Sequence, residues 1–238
     1  MINFPIEKIA DICAEFGAEI TPDKHQKLNL YGNLLLEWNE KINLTAITDP
    51  EEVVIKHFLD CILFLKQVDL PQNAKVIDVG TGAGFPGVVL KIMREDIDLT
   101  LLDGLNKRLV FLNEVLNQLG LTADTVHARA EEAGKNPIYR EKYDIACARA
   151  VARLNVLSEY CLPFVKQNGQ FVALKGPSSE EELAEAGKAL SLLGGDAGKI
   201  ICEKLPTGDE RSFVLIKKIS QTPPKYPRIS AKISKLPL

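Results

Sequence analysis

The stretch KVIDVGTGAGFPG, residues 75–87, decides the fold of this chain. It starts as a short apolar β-strand that reaches an acid, Asp78, and continues through a glycine-rich turn toward a helix. A second acid, Asp103, closes the next apolar run, about twenty residues beyond the turn. A strand, a glycine turn, a helix and a second acid at a strand end are typical of proteins that hold a nucleoside-bearing cofactor. The sequence therefore predicts chemistry with such a cofactor.

Secondary-structure patterns divide the chain into three parts. Residues 1–70 show helical periodicity, residues 71–220 alternate between strands and helices, and residues 221–238 form a proline-rich basic tail. Strands are predicted near 75–79, 98–103, 122–127, 143–148, 169–175, 200–205 and 212–218. Helices in the central part are predicted near 87–94, 105–119, 151–165 and 179–193.

Strands separated by helices indicate a parallel sheet with right-handed crossovers. The last two predicted strands are joined by a short link and should pair antiparallel. We therefore predict an α/β fold, a Rossmann-like seven-stranded sheet with the last strand antiparallel and an N-terminal helical extension. This arrangement describes a class I S-adenosylmethionine-dependent methyltransferase better than a dehydrogenase.

Composition limits the class of protein and its partners. The 238 residues are 46% hydrophobic and 26% charged, which is ordinary for a soluble globular protein. No apolar run approaches the ~20 residues of a membrane span, so we expect no membrane partner. The net charge is −3, whereas nucleic-acid binders usually carry a basic surplus. Any contact with nucleic acid must then use a local patch.

The cysteines indicate the redox compartment. Five of them are scattered without a CxxC motif: Cys13, Cys61, Cys147, Cys161 and Cys202. This pattern fits buried thiols in a reducing cytoplasm better than disulfides or a metal site. We expect a cytoplasmic protein that binds no metal.

Two registers of the glycine turn predict different cofactors. Residues 82–87 match GxGxxG, the dinucleotide fingerprint, but they begin three residues past the strand, and Pro86 would occupy the first helical turn. The alternative begins at Asp78. An acid at the strand end suits a cofactor with a cationic amino-acid end, such as S-adenosylmethionine, and would repel a pyrophosphate. We favour this second register, with Gly80 and Gly82 approaching the ligand.

Three further features agree with a cofactor site. Asp103 can accept both ribose hydroxyls, although it could also serve as an ordinary helix N-cap. Ala130 and Glu131 follow the third strand, in the loop that flanks an adenine in such sheets, although this segment also reads as a solvated helix start. Arg149 ends an apolar fourth strand, where a charge is rarely tolerated without a partner. We expect Arg149 to be catalytic and to lie over the reaction centre.

The sequence also lacks groups that some methyl acceptors require. Amine methyltransferases present an Asn/Asp-Pro-Pro-aromatic turn after strand four, where this chain has Ala148-Arg149-Ala150. Methylation of a pyrimidine carbon needs an exposed cysteine, but Cys147 lies inside a strand and is predicted to be core. Guanine N7 carries an in-plane lone pair and needs no general base, so positioning is sufficient there. The missing groups are consistent with N7 as acceptor.

In combination, these motifs resemble the bacterial RsmG/GidB family (glucose-inhibited division protein B), from Trp38 to at least Arg211. The resemblance rests on the glycine turn and on further segments: residues 38–47, 57–61, 103–108, 129–132, 149–152 and 174–176. It implies methyl transfer from S-adenosylmethionine to N7 of one guanosine in 16S ribosomal RNA. One departure is the tail, where Tyr226-Pro227-Arg228 is followed by Ile229 instead of the family's lysine.

The resemblance also implies site residues and partners. It implies cofactor contacts from Gly80, Phe85, Ala130, Glu131 and Arg149. It implies RNA contacts from Lys107, Arg108, Lys175 and Arg211. The implied partner is 16S RNA, which we expect within a small-subunit particle, and we expect a monomer.

His57 and Asp60 belong to a family motif but receive no role from the sequence. His57 lies among apolar residues, which predicts a hydrogen-bonded structural histidine. The N-terminal helices are expected to cover the cofactor cleft or to dock RNA. A small-molecule methyltransferase, which the acidic pI would suit, and a dinucleotide-binding protein remain the alternatives.

Overall fold

One seven-stranded mixed sheet organises the computed structural model, which describes all 238 residues. The strands are β1 (Lys75–Val79), β2 (Asp98–Asp103), β3 (Asp124–His127), β4 (Tyr143–Arg149), β5 (Val165–Lys175), β6 (Lys199–Lys204) and β7 (Glu210–Lys217). Their order is β3-β2-β1-β4-β5-β7-β6, and β7 runs antiparallel to both of its neighbours. The predicted fold class, with the last strand antiparallel, is confirmed.

Helices cover both faces of the sheet. They are α1 (Glu7–Ala14), α2 (Pro22–Ile42), α3 (Pro50–Val53), α4 (Asp60–Ile62), α5 (Phe64–Gln67), α6 (Gly87–Met93), α7 (Asn106–Leu119), α8 (Ala130–Ala133), α9 (Leu154–Cys161), α10 (Ser179–Leu193) and α11 (Ser230–Lys235). None of these helices combines the length and apolar character of a membrane span. The predicted helix at 151–165 is too long, because Ala150 adopts a left-handed φ of 56° and the helix begins only at Leu154. It ends early because Pro163 lies in a short 3₁₀ turn that leads into β5.

A π-helical turn lies between α3 and α4. Asp49 caps α3 by accepting a hydrogen bond from Glu52 N at 3.0 Å. From Val54 to Leu59 the backbone then widens into a π-helix before α4 begins. Such turns are rare and are frequent at functional sites, because they shift the side chains that follow. This π turn carries His57 and leads directly into Asp60.

The N-terminal helices share a core with the sheet. A cluster of 46 buried residues joins them to one face of the sheet, and a second cluster of 22 fills the opposite face. Phe4, Tyr31, Phe58 and Phe64 are fully buried in the first cluster. Residues 1–70 therefore form a layer that packs on α6 and α7 and reaches β4 and β7 through Asp60.

The C-terminal tail is ordered and packs on α9. Tyr226 is buried, and the guanidinium of Arg228 pairs with the fully buried Glu159 at 2.6 Å. Four cysteines are buried, as predicted, but Cys202 is exposed. Because β6 is an edge strand, alternate side chains there face solvent, so the prediction is wrong for Cys202.

Candidate functional site

Asp78, at the end of β1, fixes the glycine loop by hydrogen bonds. Its Oδ2 accepts hydrogen bonds from Thr81 Oγ1 at 2.7 Å and from Gly87 N at 2.9 Å. The carboxyl group is fully buried, and burial raises its pKa to about 6. Its Oδ1 has no hydrogen-bond partner. One oxygen thus shapes the loop, while the other is a buried acceptor that a nearby cationic group would satisfy.

The rest of the loop is held by β2 and by the N-terminal layer. Gly80 N donates to Leu102 O at 2.8 Å. From the other side, the buried hydroxyl of Tyr31 donates to Ala83 O. The N-terminal layer therefore contacts the cofactor loop directly.

A cavity of about 190 Å³ lies at the carboxyl ends of β1, β2 and β3. We call it the nucleoside cavity. It is lined by Val79, Gly80, Leu102, Asp103, Gly104, Ala128, Arg129, Ala130, Glu131, Val151, Tyr160 and Ser230. Four of the predicted cofactor residues, Gly80, Asp103, Ala130 and Glu131, meet here. Ligands of open α/β sheets bind at this edge.

Asp103 lines the nucleoside cavity, and it is not the N-cap of α7, because Leu105 occupies that position. Its Oδ1 accepts from Leu105 N at 2.8 Å, which supports the start of α7, and its Oδ2 accepts from Gly82 N at 2.9 Å. Each carboxylate oxygen can accept two hydrogen bonds, so capacity for sugar hydroxyls remains. Arg108, predicted to contact RNA, lies 3.3 Å from the same carboxylate. Lys107 beside it is exposed.

A second cavity, of about 330 Å³, lies beyond the ends of β4, β5 and β7. We call it the cationic cavity. It is lined by Ile47, Lys56, His57, Asp60, Arg149, Ala150, Leu174, Lys175, Gly176 and Arg211. Among the predicted RNA residues, Lys175 and Arg211 lie here, whereas Lys107 and Arg108 lie near the nucleoside cavity.

Arg149 is held by the π turn and α4. One guanidinium nitrogen donates to Lys56 O at 3.2 Å and to Asp60 Oδ2 at 3.0 Å, and the other donates to His57 Nδ1 at 3.1 Å. Its guanidinium carbon lies 4.7 Å from the centre of the Phe85 ring, a cation–π contact. Arg149 is therefore a fixed wall of the cationic cavity.

His57 has the structural role that the sequence predicts. Its ring stacks on Phe85 at 4.6 Å, and its Nε2 lies 2.8 Å from Thr45 Oγ1. Burial, together with the positive charge of Arg149, lowers its pKa to about 3. The ring is therefore neutral, with Nδ1 accepting from Arg149 and Nε2–H donating to Thr45.

Lys175 makes its ion pair and hydrogen bond within the protein. It pairs with Glu182 at 2.8 Å and donates to Ala152 O, and its side chain is only 9% exposed. Glu182 also accepts from Leu154 N at 2.7 Å, at the start of α9. Lys175 thus anchors the segment that joins β4 to α9, and it does not reach freely toward an RNA phosphate.

That segment, Ala150–Ala152, separates the two cavities. Ala150 lines the cationic cavity, and Val151 lines the nucleoside cavity. Val151 packs so closely on the glycine loop that a Cβ at Gly80 would lie 2.9 Å from its methyl carbon. Ligands in the two cavities would therefore lie on either side of this segment.

Sequence reasoning missed the roles of Asp60 and Tyr31. Asp60 pairs with Arg149 and lies 3.3 Å from Arg211, through Oδ2 and Oδ1 respectively. A signal was available, because His57 and Asp60 are three residues apart on a helical segment and so share a face. Nothing local indicated which residues that face would meet.

The residues of the nucleoside cavity fit a nucleoside-bearing cofactor. They combine a carboxylate for sugar hydroxyls, apolar walls for a base, and a glycine loop above an unpaired carboxylate oxygen. The volume is below the roughly 300–1,000 Å³ of sites that enclose a whole drug-sized ligand. The cavity thus suits the nucleoside end, while the remainder of such a ligand would pass along the Ala150–Ala152 segment.

Comparison with known proteins gives one family. A family model described as rRNA small subunit methyltransferase G matches residues 24–212. A Clostridium perfringens protein named ribosomal RNA small subunit methyltransferase G is 51% identical over 228 residues, or 95% of each chain. A protein of the same name from Alkaliphilus oremlandii is 53% identical over 222 residues, covering 92% of this chain and 93% of its own.

Solved structures with similar folds are methyltransferases. A Pyrococcus furiosus methyltransferase superposes with a TM-score of 0.56 at 15% identity, covering 82% of this chain and 98% of its own. A SAM-dependent O-methyltransferase from Thermotoga maritima gives a TM-score of 0.54 at 14% identity, covering 79% and 72%. At these identities the likeness concerns the fold alone.

Proposed function

Because the chain belongs to the family of rRNA small subunit methyltransferase G, we propose that it transfers a methyl group from S-adenosylmethionine to N7 of one guanosine in 16S ribosomal RNA. The observation that carries this proposal is the pair of adjacent cavities that share the Ala150–Ala152 segment. One has the acids and apolar walls that suit a nucleoside cofactor. The other is lined by four cationic side chains, of which Arg211 has exposed surface for an RNA phosphate.

We assign the cofactor to the nucleoside cavity and the glycine loop. The residues that would hold it are Gly80, Gly82, Asp103, Ala130 and Glu131, with Asp78 beneath the loop and with Phe85 and Arg149 at the border of the second cavity. When bound, S-adenosylmethionine supplies an electrophilic methyl group on a sulfonium. The acid-rich edge of the cavity favours such a cation.

The side chains of the cationic cavity suit an acceptor that needs no general base. His57 is neutral, and both ring nitrogens are engaged, while Asp60 is paired with Arg149. Guanine N7 has no proton to lose, so the protein's task there is to desolvate and orient the ring. Arg149 contributes as a rigid wall beside Phe85.

For the RNA partner, we propose that Lys107 and Arg211 contact phosphate, since both have exposed surface. Lys175 and Arg108 support the site through internal ion pairs. Given the net charge of −3, we further propose that a protein-bearing small-subunit particle is the substrate. We propose that the enzyme acts as a cytoplasmic monomer in which residues 1–70 form a layer on the methyltransferase domain of residues 71–220, with residues 221–238 as a tail.

Mass mapping of 16S RNA tests this function. A strain lacking the gene should lose one N7-methylguanosine, and the wild-type gene should restore it. Arg149→Lys should fail to restore it, because lysine keeps the charge next to Asp60 but lacks the planar fork. The exposed Arg153→Lys should restore it. Normal methylation in the deletion strain would refute the proposal.

A further inference from the structure

We propose that the cationic cavity receives the target guanine itself, and that the carboxylate of Asp60 accepts hydrogen bonds from N1–H and N2–H of its Watson–Crick edge. This inference rests on the proposed function, since it takes guanine N7 as the methyl acceptor. It adds a residue that reads the base and a reason why that residue is an acid.

Asp60 has a buried carboxylate oxygen that accepts no hydrogen bond. Asp60 is the one carboxylate among the residues lining this cavity, and it is only 3% exposed. Its Oδ2 is taken by Arg149, but Oδ1 is buried and has no hydrogen-bond partner. Arg211 Nε lies 3.3 Å from Oδ1 without the alignment of a hydrogen bond. Buried acceptors in this condition are rare, and a ligand donor would satisfy this one.

Guanine has a donor pattern on its Watson–Crick edge that matches a carboxylate. N1–H and the 2-amino group are adjacent donors, and two such donors match an ionised carboxylate. The Watson–Crick edges of adenine, cytosine and uracil place an acceptor next to their donors and would repel it. N7 lies on the opposite side of the purine, so a guanine held by Asp60 leaves N7 free. Ile47 and Leu174 give the cavity apolar surface for the ring.

Methylation at N7 creates a positive charge on the target base. The lone pair of N7 forms the new bond to carbon, the carbon–sulfur bond breaks with its electrons left on sulfur, and the positive charge passes to the purine. Arg149 and Arg211 would oppose a cationic product, whereas Lys175 is already paired with Glu182. The Asp60 carboxylate offsets them, and its bond to N1–H strengthens as the ring becomes positive. Stabilisation that grows toward the transition state raises the rate.

Access to Oδ1 requires Arg211 to turn aside. Its side chain is 23% exposed and otherwise donates only to Glu210 O, at the exposed first residue of β7. An RNA phosphate offers a stronger, charge-assisted partner. Arg149, by contrast, is fixed by three acceptors. Movement of the Arg211 guanidinium from Asp60 to an RNA phosphate would thus couple RNA binding to exposure of Asp60 Oδ1 in the cationic cavity.

A cycle that combines a protein substitution with a base substitution tests the contact. Small subunits reconstituted with guanosine or inosine at the target position are methylated under single-turnover conditions by wild-type enzyme and by Asp60→Asn. Inosine lacks the 2-amino group but keeps N7. We expect Asp60→Asn to slow methylation of guanosine roughly 10- to 100-fold. Inosine should slow the wild type several-fold but slow Asp60→Asn hardly at all.

If the two effects multiply instead, Asp60 does not contact the base and the inference is wrong. The ratio of inosine to guanosine rates is measured within one preparation, so partial unfolding of the variant cancels. Asp209→Asn, an exposed acid near Lys56, controls for loss of negative charge and should keep the wild-type ratio and rate. A wild-type enzyme that methylates no guanosine N7 would refute the proposed function rather than this inference alone.

Discussion

The glycine loop offers a comparison between a glycine that the fold requires and one that the ligand requires. A Cβ at Gly84, whose φ is +98°, would lie 2.7 Å from both Tyr31 Oη and Val88 Cγ2 and 2.8 Å from Leu112 Cδ2. A Cβ at Gly82, whose φ is +60°, has no neighbour closer than 3.9 Å. Left-handed backbone costs a residue with a Cβ roughly 1–2 kcal/mol. Overpacking adds about 1–3 kcal/mol.

We therefore expect Gly84→Ala to lower the free energy of unfolding by about 2–5 kcal/mol and Gly82→Ala by only about 1–2 kcal/mol. Urea denaturation followed by circular dichroism measures both. Calorimetry with S-adenosylhomocysteine should show weaker binding for Gly82→Ala despite its stable fold, because its new methyl group points into open space at the cofactor loop. Equal losses of stability in the two variants would refute the packing argument.

Three further predictions concern buried ionisable groups. Arg228→Met leaves the fully buried Glu159 without its ion-pair partner and should lower the free energy of unfolding, measured by urea denaturation, by about 3–5 kcal/mol. The exposed Arg153→Met should change it little. A small effect at Arg228 would contradict the burial of this pair. Burial lowers the pKa of Lys218 to about 8 from its usual 10.5, so its contribution to stability should rise between these pH values, by at most about 3 kcal/mol. Lys218→Met should flatten that rise, and an unchanged pH slope would argue against it. His57, with its pKa lowered to about 3, should show no NMR titration between pH 5 and 8. Its protonation should favour unfolding only as the pH falls below about 6.5. A titration midpoint near neutrality would contradict the stacked, neutral ring.

The strands and the cofactor loop could be predicted because their signals are local. Most strands are apolar runs between turn residues, and the ends of the seven predicted strands lie within four residues of the observed ends. Gly80, Asp103, Ala130 and Glu131 were expected at one site because carboxyl ends of parallel strands meet at one edge of a sheet. The structure places all four around one cavity.

The partners of the charged residues could not be predicted in this way. Arg149 meets Asp60 across 89 positions of the chain, and Lys175 meets Glu182 and the Ala150–Ala152 segment. Nothing in their neighbouring residues distinguishes a lysine that will be paired internally from one that reaches RNA. The left-handed turn at Ala150, which shortens the following helix, likewise depends on contacts from other strands.

The sequence by itself determined the sheet, the cofactor loop and, through the family motifs, the chemistry, because hydrophobic periodicity and turn residues act over a few neighbouring positions. Only the tertiary structure decided how Asp60 and Arg149 are oriented and how the N-terminal layer borders the cationic cavity and contacts the glycine loop. The physical reason is that burial and ion pairing are properties of position in space. The Asp60 carboxylate meets both Arg149 and Arg211 only because the π turn, β4 and β7 converge there.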